Sequence, residues 1–156
     1  MWREKLEKNE IDEEKYKWSL NPPATVEQII KFAKTVKDEF NYDLPEGYLE
    51  FLRVTDGLSS CGYEINGTIE ELIIKSEISK YYLGLIRLNN DLYNLFPEMK
   101  KYIFFGEVEL DWYVFDREDG LYKVLDKFSD EAWEKYNTFE ELLDYILSEI
   151  CNYLEI

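Results

Sequence analysis

The chain has 156 residues, 46% hydrophobic and 17% aromatic, with 34 Asp and Glu against 18 Lys and Arg, no histidine and a formal net charge of −16. Length and aromatic content suit a single domain over residues 1–156 and exclude simple disorder. The acid excess repels phosphate backbones and excludes nucleic acid as a partner, and the lack of histidine removes Ser/His/Asp and Cys/His catalysis and every His-bearing zinc site.

The opening segment, residues 1–16, places Trp2 and Leu6 one helical turn apart among nearly balanced charges, which predicts a helix with a narrow apolar stripe. It lacks the hydrophobic region of a signal peptide, and no apolar run approaches the ~20 residues of a membrane span, so the expectation is a cytoplasmic protein with no membrane contact. Cys61 and Cys151 lie far apart, form no C-x-x-C, and read as free thiols.

"NPPATVEQIIKFAKTVKDEF" predicts a second helix. Thr25 and Gln28 have capping-box spacing, and Val26, Ile29, Ile30, Ala33, Val36 and Phe40 mark one face. "LPEGYLEFLRVTDG" predicts a third, with Pro45 at its first position, Leu44, Tyr48, Phe51 and Leu52 as the apolar stripe, and Gly57 ending it. Asn66-Gly67 predicts a hairpin over 61–74. "LGLIRLNNDLYNLFPEMKK" predicts a short helix that stops before Pro97.

From residue 101 the composition turns β-branched and aromatic. "KYIFFGEVEL", "DWYVFD" and "LYKVLD" predict an antiparallel meander, with Asp119-Gly120 joining the last two. Thr138 and Glu141 repeat the capping-box spacing, and Phe139, Leu142, Leu143, Ile146, Leu147 and Ile150 predict a last helix with a clean apolar face. The predicted fold is therefore α+β: an antiparallel β-sheet, hairpin plus meander, packed by N-terminal helices and a C-terminal helix.

Chemistry, if any, rests on carboxylates. No phosphate-binding glycine loop occurs, and two separated cysteines cannot build a four-cysteine metal site. "GEVELDWYVFDREDG" sets Glu107, Glu109, Asp111, Asp116, Glu118 and Asp119 against Arg117 alone. Glu107, Glu109 and Asp111 alternate as the solvated face of a strand would, and Asp116 to Gly120 reads as turn chemistry. The same acids with Trp112 also suit a face that binds a basic partner, and an acid-only catalytic or metal site would need two carboxylates converging in a cleft. A second acidic cluster, Asp130, Glu131, Glu134, Glu140, Glu141, Asp144 and Glu149, faces only Lys135, and part of it suits a helix N-terminus. Trp112 in a strand and Trp133 in the connector before the last helix read as core residues, or as interface anchors if they lie exposed beside the acids.

Taken in order, "LPEGYLEFLRVTDG", "YIFFGEVELDWYVFD", "DGLYKVLD" and "NTFEELLDYIL" resemble the SUKH superfamily of Smi/Knr-type domains, and most of all its small YrhA-like bacterial members. The resemblance covers most of the chain and is weakest over 60–95, and Asp56-Gly57 stands where the family commonly has Asn-Gly. It implies an α+β fold and no shared catalytic residues, and the residues themselves call for no cofactor and no metal. It implies a non-enzymatic immunity protein that neutralises a cognate protein toxin by binding, or else a regulatory interaction adaptor without a toxin partner. A toxin of nuclease type would be basic, and an acidic inhibitor would meet it quickly. On this reading the partner-binding residues are Glu107, Glu109, Asp111, Trp112, Asp116, Glu118 and Asp119. The oligomeric state is not readable from the sequence.

Overall fold

The computed structural model describes residues 1–15, 20–69, 72–75, 78–81 and 84–156. Helices α1 (Trp2–Lys15), α2 (Val26–Phe40) and α3 (Glu46–Leu52) come first. Strands β1 (Leu58–Ser60), β2 (Tyr63–Ile65), β3 (Leu72–Lys75) and β4 (Ile78–Tyr81) follow, then α4 (Leu85–Leu95) and a 3₁₀ turn at Pro97–Lys101. The meander β5 (Tyr102–Glu107), β6 (Asp111–Asp116), β7 (Tyr122–Asp126) and β8 (Ala132–Tyr136) leads into α5 (Phe139–Leu154). The fold is α+β, with a six-stranded antiparallel sheet in the order β1-β2-β5-β6-β7-β8 and a separate β3–β4 hairpin. No helix among the described residues is long and apolar enough to cross a membrane.

One face of the sheet carries the aromatic core. Ile103, Phe105, Tyr113, Phe115 and Tyr122 share it, and α3 and α5 close over it. Tyr48 of α3 sits fully buried with its ring 5.0 Å from Phe105 and 5.3 Å from Phe139 of α5. Its hydroxyl donates to the Asn66 carbonyl at 2.5 Å, so the buried phenol keeps a partner. Trp2 of α1 packs edge-on against Phe51, 6.2 Å away.

Helix α4 seals an edge that the sheet leaves open. β2 pairs with β5 only at Gly106 and Glu107, which exposes the first half of β5 to one side. Asn89 fills that side: its Nδ2 donates to the Phe104 carbonyl at 2.9 Å, and its Oδ1 accepts from the Phe104 N–H at 2.8 Å. One turn on, the Tyr93 hydroxyl donates to the Tyr102 carbonyl. The match is geometric, since four helical residues rise about 6 Å and two strand residues about 6.7 Å.

Several sequence expectations shift. The capping box at Thr25 and Gln28 forms as expected. At the last helix only half of it forms, because Glu141 reaches back to the Asn137 N–H rather than to that of Thr138. Pro45 is the N-cap of α3 rather than its first residue, and the helix ends at Leu52, well before Gly57. The hairpin expected at Asn66-Gly67 is not there. The hairpin turn is Cys61-Gly62, with φ of 52° and 85°, between β1 and β2. That turn type needs positive φ at both residues, and neither Asn66 nor Gly67 adopts it. Instead the Asn66 N–H donates to the Phe105 carbonyl at 2.8 Å, and the Gly67 carbonyl accepts from Leu85 at 3.0 Å. Residues 70 and 71 of the expected hairpin lie outside the described residues.

Candidate interaction surface

The seven sequence-predicted residues divide between the two ends of β6. Asp111 begins the strand and Asp116 ends it, so the two groups stand roughly 17 Å apart along it. Glu107, Glu109 and Asp111 do not alternate along one strand as expected. Glu107 closes β5, Glu109 lies in the connecting turn and Asp111 opens β6.

At the far end, the β6–β7 turn is an internally satisfied structure. Asp116 is buried, and its Oδ2 accepts from Lys123 Nζ at 2.8 Å. Asp119 takes the same ammonium at 2.5 Å. The second oxygen of Asp116 accepts the Glu118 N–H at 2.9 Å, and Asp119 Oδ1 accepts the Leu121 N–H at 3.0 Å. The hydrogen bond to Lys123 holds the Asp119 carboxyl below its usual range. Burial alone would lower Lys123, but its hydrogen bonds to Asp116 and Asp119 outweigh burial and leave it raised. Glu118 is exposed on the tip.

The near end is built from two turns that touch. The Lys127 N–H of the β7–β8 turn donates to the Leu110 carbonyl of the β5–β6 turn at 3.0 Å. Lys127 folds back, with its ammonium 3.2 Å from Glu107 and 4.2 Å from the centre of the Trp112 ring. Trp112 is half-buried and packs edge-on against Phe104 at 5.3 Å. These contacts tie Glu107 and Trp112 into the sheet.

Asp111 is placed differently. It lies directly opposite Asp126 in the β6–β7 register, and like charges so opposed are destabilising. Burial pushes its carboxyl above the usual range and Asp126 adds to the shift, while Trp133 and Lys127 pull the other way. Around this pair stand three large apolar side chains in solvent: Leu110 at 57% exposure, Phe128 at 82% and Trp133 at 57%.

Trp133 owes its position to a bulge. Val124 pairs with Glu134 and the next residue, Leu125, pairs with Ala132, which leaves Trp133 as the extra residue of β8. A bulge re-aims the side chain it carries. Trp133 thus sits in a strand rather than a connector, exposed beside the acids.

The acids extend onto α5. Burial raises the Tyr136 hydroxyl, and Glu134, Glu149 and Glu141 raise it further. Burial with Glu149 and other nearby groups pushes Tyr145 up to about 12. Burial is the larger cause of both shifts, and the glutamates that add to them lie on β8 and α5.

The sequence reading singled out Glu107, Glu109, Asp111 and Trp112 as part of one surface running on to Asp119, and did not single out Leu110, Asp126 or Phe128. Their only local signal is a large apolar residue inside a polar turn, as in "DKFSD" and "EVELD". Among the described residues no group of three His, Cys, Asp or Glu is placed to hold a metal ion. A cleft of about 430 Å³ lies elsewhere, between the end of α2 and α4, and Arg117 and Lys100 line it with a single carboxylate, Glu39. Arg117 there donates to the Phe40 carbonyl and, at 3.4 Å, to that of Asn41, which accounts for it as a cap on α2.

No protein-family model matches the chain, and a search of curated proteins finds no significant match.

Proposed function

We propose that this chain is a SUKH-type immunity protein that acts in the cytosol by binding a basic protein toxin and covering it, without chemistry of its own. The observation that carries the reading is the near end of the sheet, where exposed Leu110, Phe128 and Trp133 surround the like-charged Asp111–Asp126 pair. Exposed aromatics ringed by charge have the composition of a binding hot spot and its rim. A cationic side chain from a partner would relieve the repulsion between the two carboxylates, so binding repairs a fault that the free protein carries. The net charge of −16 would speed the encounter with a basic partner.

The test is capture of the partner from the native host, followed by co-expression of the pair. Recovery of a basic protein that is toxic alone and harmless with this chain, at an association rate that falls with salt, supports the reading. Recovery of a non-toxic partner moves the chain to the adaptor class. No partner and no protection ends the proposal.

A further inference from the structure

The sheet has a free margin beside this surface. Among the described residues β8 is the last strand in the order and pairs with β7 alone, and it is exposed at Trp133, Glu134 and Lys135. Hydrogen-bond alternation shows which of its main-chain groups are spare. The Asp126 N–H donates to the Glu131 carbonyl at 2.8 Å across the β7–β8 turn, while the Lys127 N–H points the other way, to Leu110. Main-chain direction alternates along a strand, so Val124 and Tyr122 turn toward β8 and meet Glu134 and Tyr136. The N–H and C=O of Lys135, between those two, therefore face away from the sheet.

Resting on the function proposed above, we infer that the β8 edge accepts an extended, lysine- or arginine-rich segment of the partner as an added antiparallel or parallel strand, with Lys135 as the main-chain docking point. Charge selects the occupant. Exposed Glu134 on the strand, with exposed Asp130 and Glu131 in the turn before it, flanks Lys135 along the edge. A second copy of this chain would bring the same acids face to face, on top of a net charge of −16 on each molecule. The bulge at Trp133 interrupts the edge there, so pairing centres on the Lys135 side. Trp133 and Phe128 stand at that interruption, where they can grip a side chain of the incoming segment.

The test uses the full chain and a short capped peptide of alternating lysine and valine, titrated by calorimetry at low salt. Lys135→Pro removes an outward N–H without touching the ladder to β7, a placement proline tolerates on an edge strand. Lys135→Gln is its control for charge. We expect Lys135→Pro to weaken the peptide by about tenfold or more and Lys135→Gln to leave it within about twofold. The same peptide N-methylated at every backbone nitrogen keeps its charge, loses its donors, and should bind the unaltered protein as weakly as the plain peptide binds Lys135→Pro. Equal binding of plain and N-methylated peptides would overturn strand addition, leaving a surface that works by charge alone. Self-association of the free protein that Lys135→Pro abolishes would also overturn it, assigning the edge to a second copy. Neither result bears on toxin capture, so this inference and the proposed function fail separately.

Discussion

The two ends of β6 are built from the same residue types and behave oppositely. At the β6–β7 turn, Asp116 and Asp119 share one buried lysine and two turn amides, so both carboxylates and the lysine have partners. At the other end Asp126 also caps its turn, accepting the Phe128 and Ser129 N–H groups at 2.7 and 3.1 Å, but it is set opposite Asp111 rather than a lysine, with exposed Leu110, Phe128 and Trp133 around the pair. The difference separates acids matched to a buried lysine from a pair of acids set against each other. A paired, buried carboxylate serves the architecture, whereas a half-buried one opposed by its own kind costs stability that only function repays.

That contrast can be broken experimentally. Lys123→Met strips the partner from buried Asp116 and should cost on the order of 3–5 kcal/mol by urea denaturation. Phe51→Ala, in the fully buried core, should cost a similar amount, about 3–5 kcal/mol, and serves as the yardstick. If Lys123→Met falls in the range of an exposed substitution, the β6–β7 turn is not the lock described.

Asp111→Asn should act in the opposite direction. It should stabilise the protein by about 0.2–1 kcal/mol, toward the lower end because the group is part-exposed, while weakening a basic partner. The sign follows from the raised carboxyl. Folding favours the neutral form, so that contribution is present below the ordinary value of 3.8 and is lost as pH rises through the folded pKa. The asparagine variant stays neutral throughout. Its advantage over the wild type should therefore be absent at low pH and grow across that window. Equal stability at every pH would show that Asp126 and burial impose no cost.

The smallest effects on folding belong to the exposed groups. Phe128→Ser and Glu109→Lys should change stability by no more than about 0.5 kcal/mol. Both should slow association with a basic partner or speed its release. Unfolding by Glu109→Lys alongside a silent Phe51→Ala would reverse the assignment of site and core.

Much of this architecture is legible in the residues themselves. The Thr25 capping box, the helix that stops before Pro97, the aromatic meander and the amphipathic last helix all follow from signals contained within a few residues. β8 is not legible in the same way. "AWEKY" lies mostly in solvent at a sheet edge, so no burial alternates along it, and the bulge at Trp133 breaks what period it has. The Asn66-Gly67 signal is sound turn chemistry, but the Asn66 N–H has a better offer from Phe105, while Cys61-Gly62 makes the turn with a weaker signature. For the site, an acidic stretch from Glu107 to Asp119 is plain in the sequence, yet nothing local tells its two ends apart.

The sequence by itself determined the α+β class, the acidity and most helix boundaries, because caps, periodicity and composition act between near neighbours. Only the tertiary structure decided which carboxylates are satisfied. Lys123 reaches Asp116, and Asp126 is set against Asp111, through the register of β7 on β6. Register is a long-range choice made by the buried face as a whole, and shifting it by one residue would turn every side chain to the other side.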